Sequence, residues 1–170
     1  MFLDEAGLNL SMSRSHAWVQ RGREYIDRVP MNWGKNLTLL GAMRLSGWVV
    51  QSAMFATANG DRFARWLKHT LLPKLEPGDV LVMDNLPAHH DPRVRPACRE
   101  RGVRLIYLPP YSPDLNPIEP GWALQKQYVR RVAPRFPFRL RQAAHRARRR
   151  VTRQHCRNWF AHSGYRVQHT

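Results

Sequence analysis

The sequence predicts a mixed α/β domain, a central sheet with helices on its faces, and three observations carry that prediction. Two apolar, β-prone runs, Leu37 to Leu45 and Trp48 to Ala56, are joined by Ser46-Gly47, a two-residue hairpin signal. Two shorter apolar runs, Val80 to Met83 and Val103 to Leu108, have the unbroken character of strands buried on both faces. Stretches of helical periodicity alternate with them, so strands and helices succeed one another after the hairpin.

Taken in order, Phe2 to Asp4 reads as a first strand clipped to three residues. Residues 11–36 are polar and rich in Arg, with Gly22, Pro30 and Gly34, and read as a long loop or a ragged hairpin. Asn59 offers a helix cap, followed by Phe63, Trp66, Leu67, Leu71 and Leu75 on one face, with Pro73 marking a break near the end. After Pro92, a second helix carries Val94, Ala97 and Cys98 and is closed by Gly102. The segment Leu108 to Trp122 holds five prolines and reads as a stiff connector that positions Glu119 at a helix start. Beyond Trp122 the chain looks helical to about Arg131, and Pro134 to Pro137 breaks it. A further helix then aligns Leu140, Ala144, Ala147 and Val151 in one stripe, with Arg139, Arg141, Arg146, Arg148, Arg149, Arg150 and Arg153 over much of the rest.

At 170 residues the chain suits one domain, 1–170, with a basic helical part at about 122–165. Its 28 Lys and Arg against 12 Asp and Glu give a net charge of +16, and 24 of the cations are Arg. Residues 1–119 hold all 12 acids and 15 of the cations, whereas residues 120–170 hold 13 cations and no acid. So lopsided a block points to a polyanion, nucleic acid before others, although a drift toward Arg in the coding sequence is the bland alternative. The Arg-rich stripe is mostly Ala, too little apolar area for firm insertion at a membrane surface. No 18-residue apolar run and no signal peptide are present, so a soluble, cytoplasmic protein is expected, on the nucleoid when bound to DNA. Cys98 and Cys156 are solitary and read as small buried residues.

Three carboxylates stand where strands end or a helix begins: Asp4, Asp84 and Glu119. Such positions collect in the crevice where α/β sheets place their sites. Gathered acids need compensation, and a hard divalent cation supplies it, Mg²⁺ or Mn²⁺, with two ions serving phosphoryl transfer. Each acid alone has a plainer reading. Asp4-Glu5 could be a solvated N-terminus, Asp84-Asn85 could open a turn, and Glu119 could close back on Asn116 as a capping pair.

Asp4-Glu5 after a hydrophobic pair, Met83-Asp84-Asn85 followed by His89, and Leu-Pro-Pro-Tyr-Ser-Pro-Asp-Leu-Asn-Pro-Ile-Glu ending at Glu119 resemble the catalytic domain of mariner-type DDE transposases of the bacterial insertion-sequence branch. The likeness extends over Trp18 to Gly22 and the closing Trp159 to Tyr165. It implies a ribonuclease-H-like fold with Asp4, Asp84 and Glu119 as a metal-binding triad, the two aspartates bridging and Glu119 completing one shell. Asn85, His89 and Asn116 would then orient ligands or meet phosphate, while His90 reads as a surface histidine. The implied activity is metal-dependent DNA cleavage and strand transfer at TA targets, by a homodimer on DNA. A catalytically silent DNA-binding remnant or regulator of a full-length transposase is the alternative. The family carries helix-turn-helix modules ahead of the first Asp, absent from this sequence, which points to a misplaced start, to a partner polypeptide from an upstream frame or to a decayed copy. Gln125-Lys126-Gln127 stands where relatives tend to show Leu-Lys.

Overall fold

The computed structural model describes residues 1–31 and 34–167. Five strands form one mixed sheet in the order β3-β2-β1-β4-β5. They are β1 (Phe2–Leu8), β2 (Leu37–Arg44), β3 (Gly47–Met54), β4 (Val80–Met83) and β5 (Arg104–Tyr107). The hairpin β2–β3 and the pair β1–β2 are antiparallel, and β4 and β5 run parallel to β1. Thus β1 lies in the centre, where the sheet changes from antiparallel to parallel.

The α-helices among the described residues are α1 (Gly60–Trp66), α2 (Val94–Glu100), α3 (Glu119–Val132), α4 (Pro137–Arg148) and α5 (Arg153–His162). Alternation along the strands distributes two cores. Phe2, Ala6, Leu8, Leu39 and Met43 pack with Trp122, Val129, Leu140 and Phe160 from the last three helices. Leu3, Leu40, Ala42, Leu81 and Met83 pack with Phe63, Leu67, Leu71, Val94 and Cys98 from the first two helices and the turn that follows α1. Both sulfhydryls are free and buried, as expected, and burial pushes each up to about 11, so neither is a reactive thiolate.

Local chemistry explains the boundaries. The Asn59 side chain accepts from Arg62 N–H and starts α1. The chain then widens into a π-type turn at Leu67–Leu71 and tightens at Leu72–Lys74, because Pro73 has no N–H and its ring crowds the preceding turn. Gly102, at φ 71°, ends α2. Gln125, fully buried in α3, exchanges two hydrogen bonds with Gln51 of β3, at 2.9 and 3.0 Å. That reciprocal amide pair satisfies a polar group buried within the core.

Three expectations are corrected. The first strand does not stop at Asp4 but runs seven residues to Leu8, since its partner β2 continues the ladder from Met43 to Leu37. The run around Val103 to Leu108 is not buried on both faces: β5 is an edge strand whose residues alternate between exposed and half-covered. The arginine-rich helix is also shorter than its stripe suggests. It ends at Arg148 because Thr152 competes as a cap, accepting from His155 N–H at 3.2 Å and starting α5. Val151, Arg149 and Arg150 therefore lie in the joint, and Arg153 belongs to α5.

Candidate active site

Asp4 sits in the middle of β1, on the face that packs against α3, with only 4% of its surface exposed. Its Oδ1 accepts the Glu5 N–H at 2.7 Å and its Oδ2 accepts the indole N–H of Trp122 at 3.0 Å. Its opposite number on β2 is Gly41, and a Cβ there would come within 2.7 Å of Trp122 and 2.8 Å of Trp48. A glycine at this place lets two packed indoles, 4.7 Å between centroids, close over the strand and reach the carboxylate. Burial first, then the negative charge of Glu119 and to a lesser degree that of Asp84, push the Asp4 carboxyl up to about 7, against the pull of its hydrogen bonds.

Asp84 follows β4 directly. Its Oδ1 lies 2.7 Å from Nδ1 of His89, a ring with no exposed surface. Phe63 packs on that ring at 4.4 Å, and Tyr107 O–H donates to the His89 carbonyl at 2.8 Å. Burial raises the Asp84 carboxyl, but the His89 contact, the Leu86 N–H and His90 outweigh it and hold it below the usual carboxylate range. Asn85 donates its amide to the Leu108 carbonyl, tying the ends of β4 and β5 together. His90 is exposed and stacks on Tyr107 at 4.5 Å.

Glu119 begins α3, but no side chain caps this helix, so the capping-pair reading of Asn116 and Glu119 does not hold. Asn116 is buried, gives its backbone carbonyl to Glu119 N–H at 3.1 Å, and leaves its Oδ1 without a partner. The proline-rich connector is bracketed from behind: Tyr165 donates to the Leu115 carbonyl at 2.8 Å while its ring packs on Phe2 at 4.9 Å. Together the connector, Asp84, Asn85, Asn116 and Glu119 line a cleft of about 390 Å³.

Glu119 and Asp84 thus come close enough for Asp4 to feel the charge of both. Among the described residues, however, no three His, Cys, Asp or Glu side chains converge tightly enough to hold an ion as they stand. Asp84 and Glu119 line the cleft, whereas the buried Asp4 is not among its lining residues. Trp122, Gly41 and Tyr165 are the contributors that sequence reasoning did not single out. A tryptophan three residues after Glu119 lies almost one turn along the same helix, the one available signal.

The arginines marked for nucleic acid divide between α4, the joint and α5. Arg139 lies over Phe138, Arg141 over Phe55 and Arg150 over Tyr128, at 5.8, 5.3 and 5.2 Å from the ring centres. No helix among the described residues is long and apolar enough to cross a membrane.

A sheet of order β3-β2-β1-β4-β5, with acids on its central strand, beside the next parallel strand and at the start of a covering helix, defines the ribonuclease-H-like class of fold. Residues 1–139 match the family described as DDE superfamily endonuclease, and the chain belongs to that family. It is 32% identical over 133 residues to the Transposable element Tc1 transposase of Caenorhabditis elegans, covering 70% of this chain and 47% of that protein. Among solved structures it resembles the Mos1 strand transfer complex, with a TM-score of 0.73, 18% identity, and coverage of 96% of this chain and 51% of that one. It also resembles the mariner Mos1 paired end complex with Mg, with a TM-score of 0.72 at 18% identity over 96% and 52%. The chain therefore spans about half the length of these relatives.

Proposed function

We propose that this domain cleaves DNA strands and joins them during transposition of a mobile element of the insertion-sequence kind, with Asp4, Asp84 and Glu119 as the ligands of a divalent cation. The observation that carries the reading is that Asp4, on β1, feels the negative charge of both Glu119, in the first turn of α3, and Asp84, at the end of β4. The residues fit such an ion. The donors are all hard oxygens, the buried Asp4 carboxyl is costly to ionise without a cation, and the unpartnered Asn116 Oδ1 belongs to a residue lining the same cleft as Asp84 and Glu119. Mg²⁺ or Mn²⁺, as named for two Mos1 complexes, would lower the pKa of a bound water or 3′-hydroxyl and stabilise the leaving oxygen, most simply as a pair of ions.

The chain's own residues do the rest. Trp122 and the Glu5 N–H fix both oxygens of Asp4, so that carboxylate cannot swing. His89 and the Leu86 N–H both engage Asp84 Oδ1 and orient the carboxylate, leaving Oδ2 for an ion. Asn85 and the connector keep the cleft's two walls at a set separation. The acid-poor helices α3 to α5 offer cations to the DNA backbone. By family resemblance, the domain works as a homodimer on paired DNA ends, alongside helix-turn-helix modules.

The test is cleavage of labelled duplex in Mn²⁺ or Mg²⁺. Wild-type protein nicks the duplex, and Asp84→Asn binds it without cutting. Cutting that survives Asp84→Asn sinks the assignment of the triad.

A further inference from the structure

Beyond the acidic cleft, α3 borders a second one of about 470 Å³, between its C-terminal half and the joint of α4 and α5. Tyr128, Arg131, Arg149, Arg150, Thr152 and His155 line it. The guanidinium carbons of Arg131 and Arg150 lie 5.3 and 5.2 Å from the centre of the same Tyr128 ring. Stacking orders these two long side chains while leaving their edge N–H groups to meet a ligand. Among the described residues neither of them, nor Arg149, has a carboxylate partner. Two cations drawn to one ring repel each other, and that repulsion is relieved by an anion between them.

The remaining polar groups agree in sign. His155 Nδ1 accepts the Thr152 N–H at 3.2 Å, and its ring stacks on Trp159 at 5.4 Å and 11°. With Nδ1 so engaged, Nε2 is the ring's donor. The Thr152 hydroxyl oxygen accepts the His155 N–H, leaving its proton to give. Three guanidiniums, an imidazole N–H and a hydroxyl make a cleft of donors with no acid in it, and the planar forks match phosphate.

The cleft also lies away from the acids. Tyr128 is nine residues from Glu119, two and a half turns and about 14 Å along the axis, hence on the opposite side of α3. Arg131 is about 18 Å along and a third of a turn around. Backbone held at this cleft therefore lies more than two helical turns along α3 from Glu119.

We propose that it is a phosphodiester-binding site, gripping a stretch of nucleic-acid backbone separate from the one presented to the acids. The inference rests on the reading of the domain as a DNA enzyme, but its test is read from binding. The double variant Arg131→Ala/Arg150→Ala and the charge-keeping Arg131→Lys/Arg150→Lys are compared with wild-type protein by fluorescence anisotropy of a duplex across a salt series. Circular dichroism confirms that each is folded.

The alanine pair reduces the slope of log affinity against log salt by about two, one for each phosphate no longer gripped, and the lysine pair largely restores it. In the cleavage assay the alanine pair raises KM for duplex and leaves kcat unchanged. An unchanged slope, or a fall in kcat at unchanged KM, overturns the proposal. Inorganic phosphate serves as the second probe. If it saturates the cleft, by NMR shifts of the His155 ring, and duplex does not displace it, the site takes a free anion and the strand reading fails. A wild-type protein that binds duplex with the expected slope but never cuts it refutes the enzymatic reading alone and leaves this one standing.

Discussion

His89 Nδ1 stands 2.7 Å from Asp84 Oδ1, and the ring that makes this contact is wholly buried against Phe63. The acid is therefore held by a group that cannot move, and its orientation is set before any ion arrives. Removing the ring by His89→Ala lowers cleavage and cation affinity, by about 10–100-fold on the scale of groups that orient metal ligands. His89→Asn, whose amide can still donate to Asp84, keeps more of the activity. Equal loss in both would mean that the ring serves packing alone, and an Mn²⁺ titration followed by calorimetry separates the two.

Asp4 makes the stability of the ion-free protein depend on pH. Its carboxyl titrates at about 7 when folded, against 3.8 as the ordinary value. Between those values the folded chain keeps a proton that the unfolded chain gives up, so stability falls as pH rises from about 4 to about 7 and stays low above. The full effect is on the order of 4 kcal/mol. Asp4→Asn flattens this part of the pH profile in thermal unfolding, after allowance for the lost hydrogen bond. Mg²⁺ restores stability to wild-type protein at pH about 8, above the folded value, and does nothing for Asp4→Asn.

Gly41→Ala pushes a methyl group into Trp122 and Trp48, where the space is already closed at 2.7 and 2.8 Å. Overpacking of this kind costs about 1–3 kcal/mol. Because Trp122 is also the donor to Asp4, the variant loses cleavage activity beyond its loss of stability. Trp122→Phe is the control, since it deletes the N–H and keeps most of the ring. Wild-type cleavage rates in both would show that the indole bond to Asp4 has no part in the chemistry.

Gln125→Leu strands the Gln51 amide, which is half-covered, and costs about 1–3 kcal/mol in urea unfolding. Gln51→Leu with Gln125→Leu recovers most of that loss, because both polar partners leave together. A double variant as unstable as the sum of two damaging single changes would mean that the pair is not acting as a unit.

Much of this was legible in the sequence because period and punctuation agree. The β2–β3 hairpin, the Asn59 cap, the short β4 and the break at Pro134 announce themselves locally. The hairpin's two-residue turn is nevertheless Leu45-Ser46, one position before the expected Ser46-Gly47, because Gly47 already pairs with Arg44. What was not legible depends on neighbours. Nothing in Phe2 to Leu8 says that β2 will pair with seven successive residues, so the strand looked clipped at its acid. Nothing in Val103 to Leu108 says that β5 will stand at the edge of the sheet. The stripe from Leu140 to Val151 kept its period across a helix end, because Val151 still packs on the same core from outside the helix. The places of Asp84 after β4 and of Glu119 at a helix start follow from the local pattern. The indole that holds Asp4 and the glycine that admits it do not, since their partners lie 118 residues apart in the one case and on the facing strand in the other.

The central place of β1 also bears on when the site can exist. β1 is synthesised before the rest of the sheet, yet its parallel neighbour β4 ends at Met83, and Glu119 arrives only with α3. Until that helix has emerged and Trp122 has closed over Gly41, the acids belong to separate stretches of an unfinished chain. Long-range closure is slow and comes late in folding. A growing or cut-short polypeptide that reaches only as far as β5 therefore carries two of the three acids, but neither Glu119 nor the indole that holds Asp4.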